Sequence, residues 1–102
     1  MIAIDIPKEQ LRAFCRKWKV TEFSLFGSVT RPEDFRPDSD VDVMVRFAED
    51  ARISLFDIAH MEEELRQIFG REIDLAERVG VERSYDGARR NAILSSAVPL
   101  EI

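Results

Sequence analysis

The chain has 102 residues, 45% of them apolar and 34% charged, with a formal net charge of −5. That composition fits a single soluble globular domain over residues 1–102 and excludes a disordered segment, and no apolar run approaches the roughly 20 residues that span a bilayer. The acidic balance argues against a protein that grips a nucleic-acid backbone by itself, and a lone cysteine (Cys15) with a lone histidine (His60) leaves no disulfide framework, thiolate cluster or ordinary zinc site.

The first stretch, Met1-Ile-Ala-Ile-Asp-Ile-Pro, has no basic n-region and too short an apolar run for a signal peptide, so a cytoplasmic protein is expected. Residues 7–19 predict a helix: Pro7 suits a first helical position, and Leu11, Phe14, Cys15 and Trp18 repeat at i, i+3, i+4, i+7. Its basic residues fall off that face and read as a solvated surface, with Cys15 a packed thiol. Residues 22–27, aromatic-rich and ending at Gly27, predict a buried strand. Residues 29–39, with two prolines and little periodicity, read as a loop.

Residues 41–47 predict a second strand, with Val41, Val43, Val45 and Phe47 on one face and Asp40 and Asp42 on the other. A helix from Ser54 to Phe69 follows, opened by a capping box of Ser54 with Asp57 and closed by Gly70. His60 lies beside its apolar stripe, a surface or half-buried position. Residues 72–76 alternate again, so Asp74 stands alone on the polar side of a third strand. Val79-Gly80 reads as a break, and a last helix spans 84–97 before Pro99. The sum is a small α/β (α+β) fold, a mixed sheet of at least three strands flanked by helices. Helices are expected on one sheet face and acids on the other. Whether the second and third strands run parallel is not fixed by the pattern.

Two carboxylates side by side on one strand face repel each other unless a cation joins them. With Cα atoms roughly 6.5–7 Å apart, Asp40 and Asp42 can both reach one or two Mg²⁺ ions, hard cations that take oxygen ligands and leave positions open for phosphate. Asp74 completes the set as third ligand and candidate base. Gly27 lets a phosphate approach the backbone without a Cβ in the way, and Ser28 offers a hydroxyl and an N–H. Asp38, Asp40, Asp42 and Glu49 mimic positions of a calcium loop, but Val43 stands where that loop needs Gly. A solvent-facing polar strand side explains one or two of these acids and poorly explains three gathered together.

Leu25-Phe-Gly-Ser, then Pro37-Asp-Ser-Asp-Val-Asp-Val-Met-Val, then Gly70-Arg-Glu-Ile-Asp-Leu resembles the minimal nucleotidyltransferase (MNT) domain of the polymerase-beta-like superfamily. In particular it is similar to the stand-alone antitoxins encoded beside HEPN-domain ribonuclease toxins, and the likeness covers almost the whole chain. The resemblance implies a nucleotidyltransferase fold that uses Mg²⁺ and ATP. Gly27 and Ser28 would hold the triphosphate, with Asp40, Asp42 and Asp74 as catalytic acids and metal ligands. It further implies transfer of AMP to a tyrosine hydroxyl of a partner HEPN toxin, within a hetero-oligomer. The loop 29–39 is one residue longer than is usual in the family, and Pro32 stands where members often carry Gly.

Three functions are open at this point. The chain transfers AMP to a protein, since its size leaves no second domain to hold another acceptor. Or it neutralises a basic partner by covering it, with favourable electrostatic steering. Or it modifies small molecules, against which the missing second domain counts.

Overall fold

The computed structural model describes residues 2–102. Helix α1 (Lys8–Trp18) is followed by strand β1 (Val20–Phe26), a 3₁₀ turn (Gly27–Thr30) and strand β2 (Val41–Phe47). Helix α2 (Leu55–Phe69) leads into strand β3 (Ile73–Glu77), the short helix α3 (Arg78–Glu82), helix α4 (Gly87–Ser96) and strand β4 (Val98–Pro99). The four strands form one mixed sheet in the order β3-β2-β1-β4. β1 runs antiparallel to β2 and β4, whereas β2 and β3 are parallel and joined through α2.

Alternation in β2 decides the layering. Val41, Val43 and Val45 are fully buried against Leu11 and Phe14 of α1 and Met61 and Leu65 of α2, together with Phe23, Leu25 and Ile73. Each such aliphatic side chain contributes roughly 1.5–3 kcal/mol of burial. Phe14 and Phe23 meet edge to face, with ring centroids 6.1 Å apart. α1 is pinned to α2 where Glu64 accepts hydrogen bonds from Trp18 Nε1 and Lys17 Nζ. The capping box opens α2 as expected: Asp57 N–H donates to Ser54 Oγ and Ser54 N–H to Asp57 Oδ2. Gly70 closes the helix with φ +68°.

The opposite sheet face is not left to the acids alone. Met44 and Phe26 are buried there against Ile93 of α4, in a second, smaller cluster with Ala76 and Val81. The expected break at Val79-Gly80 lies inside α3, and the expected helix 84–97 starts at Gly87. There Asp86 caps it by accepting from Arg89 N–H at 3.0 Å. β4 was not anticipated; it pairs Val98 with Leu25 and Pro99 with Ser24. Among the described residues, no helix is long and apolar enough to cross a membrane.

Candidate active site

β1 delivers Phe26 opposite Asp42, and the chain then turns sharply through Gly27 and Ser28. The turn is held by Arg31 N–H donating to Ser28 O (2.9 Å) and Thr30 Oγ1 donating to Gly27 O (2.6 Å). Gly27 has φ +72°, and a Cβ built on it would stand 2.2 Å from Asp42 Oδ2. Glycine is therefore required twice, by the left-handed backbone and by the carboxylate lying against it. From α4, Ser96 Oγ accepts the Gly27 N–H at 3.5 Å.

The parallel register sets Asp42 opposite Asp74, with the ladder starting one residue earlier where Val41 N–H donates to Glu72 O (2.9 Å). Asp40 lies two residues before Asp42, on the same side of the pleat. Asp40 and Asp74 are exposed, while Asp42 is half-buried between the Gly27 turn and the other two acids. Burial, then the charges of Asp74 and Asp40, push the Asp42 carboxyl up to about 6, with Arg31 opposing them. The three acids expected from the sequence thus share one electrostatic field, and Gly27 touches its centre. Ser28 is half-buried in the same turn.

Among the described residues, no group of three or more acids, histidines or cysteines is placed so that it could hold a metal ion. The donor set nonetheless fits Mg²⁺ in kind: hard carboxylate oxygens, with Asp42 lifted by burial and then by repulsion from Asp74 and Asp40. A cation beside them would relieve that repulsion. A cleft of about 380 Å³ opens elsewhere, beside α1 and the outer side of β1, lined by Arg12, Cys15, Ser24, Leu100 and others but by none of the three acids. The candidate site is distinguished by its charge pattern and not by a cleft.

Sequence reading missed Arg31 and Ser96. Arg31 lies in the loop after Ser28, and an isolated arginine in a polar loop carries no signal until its neighbours in space are known. Ser96 arrives from the far end of the chain, and nothing in its local pattern points to Gly27.

The nucleotidyltransferase-domain family profile matches residues 7–99, and the chain belongs to that family. A protein of Methanocaldococcus jannaschii, provisionally named a protein adenylyltransferase, is 35% identical over 81 residues, covering 79% of this chain and 80% of that one. A solved structure provisionally described as a minimal nucleotidyltransferase superposes with a TM-score of 0.68 at 30% identity, over 91% of this chain and 88% of the other. The complex of a tri-AMPylated HEPN toxin with an MNT antitoxin from Shewanella oneidensis contains the same fold, with a TM-score of 0.61 at 17% identity, over 92% of this chain and 68% of that one.

Proposed function

We propose that the chain is an antitoxin that transfers AMP from ATP to a hydroxyl, on tyrosine, of a HEPN toxin and so neutralises it. The observation that carries this reading is the Asp42–Asp74 pair across the parallel ladder, with Asp40 on the same face and Gly27 against Asp42. The name of the archaeal relative and the AMPylated toxin in the Shewanella complex support the choice of AMP and of a protein acceptor.

On this reading Ser28 donates its hydroxyl and N–H to triphosphate oxygens. Asp40, Asp42 and Asp74 would hold Mg²⁺, which would offset the charge of the triphosphate. The acceptor oxygen forms a bond to the α-phosphorus as the bond from that phosphorus to the bridging oxygen breaks. Pyrophosphate leaves in line, and Asp74 takes the hydroxyl proton. The reaction runs in the cytoplasm, where ATP and the toxin meet.

The test is the double variant Asp40→Ala, Asp42→Ala, co-expressed with the partner encoded beside it. Label from ATP should pass to the partner with wild type and not with the variant, and rescue from toxicity should disappear with it. Full rescue by a variant that still binds would mean neutralisation by covering alone, and the catalytic account would fail.

A further inference from the structure

No helix or strand covers residues 31–40, yet Asp40 must be delivered from this segment to within reach of Asp42. What fixes the end of the segment is one side chain from the far side of α2. Arg71 follows the left-handed Gly70 and reaches back across the start of β3. Its Nη1 shares its hydrogens among three carbonyls, donating to Pro37 O at 2.9 Å, Ser39 O at 3.2 Å and, more weakly, Arg36 O at 3.4 Å. Its guanidinium carbon lies 4.5 Å from the centre of the Phe35 ring, and Phe35 packs against the main core. The turn is closed from within by Ser39, whose Oγ accepts Arg36 N–H at 2.9 Å while its own N–H donates to Arg36 O at 3.0 Å.

We propose that Arg71 is a positioning residue for nucleotidyl transfer: by gathering the carbonyls of residues 36–39 it fixes the backbone that presents Asp40. The proposal rests on the function given above. Three carbonyls converging on one group need a cation with several donors, and the Phe35 face needs a flat one. Arginine meets both demands, whereas lysine, a compact charge without a planar face, meets only the first. Ser39 O belongs to the peptide that leads directly into Asp40, so freeing it moves the carboxylate. A misplacement of about 1 Å at a reacting centre costs on the order of 100-fold in rate. Arg71 touches neither Gly27 nor Ser28, so its loss should spare the triphosphate contacts.

The experiment compares Arg71→Ala and Arg71→Lys with wild type by label transfer to the partner toxin and by the backbone amide spectrum of the ¹⁵N-labelled protein. Arg71→Ala should lower kcat about 100-fold with KM for ATP changed less than about twofold, and its amide shifts should be confined to residues 35–41 and the neighbourhood of residue 71. Arg71→Lys should recover only a small part of kcat. Wild-type kcat in Arg71→Ala, or amides of 35–41 left where they were, would overturn the proposal. If Arg71→Ala does not fold, Arg71→Lys is judged by the same two measurements. If wild type transfers nothing, the reading of function falls, while the amide shifts still support or overturn the hold of Arg71 on the loop.

Discussion

Gly27 and Asp42 are in contact so close that no side chain fits between them: a methyl group at position 27 would stand 2.2 Å from Asp42 Oδ2. The turn proposed to receive a triphosphate and the acid proposed to hold a metal are therefore one packed unit.

Gly27→Ala should accordingly be costly for two separable reasons. Left-handed backbone at an L-residue costs roughly 1–2 kcal/mol, and forcing the methyl against the carboxylate adds about 1–3 kcal/mol. Urea denaturation of Gly27→Ala in wild-type and Asp42→Ala backgrounds separates them, because only the second contribution should vanish without the carboxylate. Equal costs in both backgrounds would show that the contact is not the cause.

Asp42→Asn should make the metal-free protein more stable while abolishing transfer. The carboxyl of Asp42 is pushed up from 3.8 to about 6 in the folded state. Below pH 4 it is protonated whether the chain is folded or not, and the substitution changes nothing. Above pH 6 it is ionised in both states, and the folded state bears the whole cost of burial and repulsion. The gain from asparagine should thus be full at pH 8 and fade as pH falls from 6 to 4. Solvent screening at this half-exposed position limits it to about 1 kcal/mol. Thermal melts at pH 4 and 8 in EDTA check this. Added Mg²⁺ should raise the melting temperature of wild type and leave Asp42→Asn unmoved.

Ser28→Ala tests the turn without disturbing the acids. Loss of one hydroxyl contact to a charged oxygen is expected to raise KM for ATP about tenfold. The melting temperature and kcat should stay close to wild type. A fall in kcat with KM unchanged would assign Ser28 another role.

Ser54→Ala provides the matching control. It removes the reciprocal bonds between Ser54 and Asp57 that open α2, at the end of β2 opposite Asp42. The expected cost is about 1 kcal/mol of stability, seen in denaturant titration, with transfer at wild-type rate below the melting range. Lost transfer at full folding would mean that the site is coupled to the whole sheet.

Much of this arrangement was legible in the chain itself, because alternation is a strong signal when one face is buried. Val41, Val43 and Val45 identified the core face of β2 and thereby the side on which Asp40 and Asp42 had to stand. Ile73 and Leu75 did the same for Asp74. What the pattern could not supply was register. Nothing local says that Asp42 rather than Asp40 faces Asp74, since a two-residue slip would keep every valine buried. β4 escaped because two residues ending in proline carry no strand period, and the α3 helix escaped because Val79-Gly80 reads as punctuation. The second cluster around Met44 was hidden for a similar reason: Ile93 belongs to a helix with only a weak apolar face. Arg71 stands within the Gly70-Arg-Glu-Ile-Asp-Leu motif, but its partners are backbone carbonyls, and a sequence does not display those.

The pairing of Asp42 with Asp74 also sets when a newly made chain becomes competent. The two acids face each other on one rung of the β2–β3 ladder, yet the whole of α2 must be made and folded before they can meet. A nascent chain that has emerged only as far as Arg71 carries the Gly27 turn and two of the three carboxylates, but not β3, which brings the third. Contacts that span so much sequence form late in folding. The part of the chain ahead of Arg71 is therefore a scaffold first, and the three acids come together only once β3 has paired with β2.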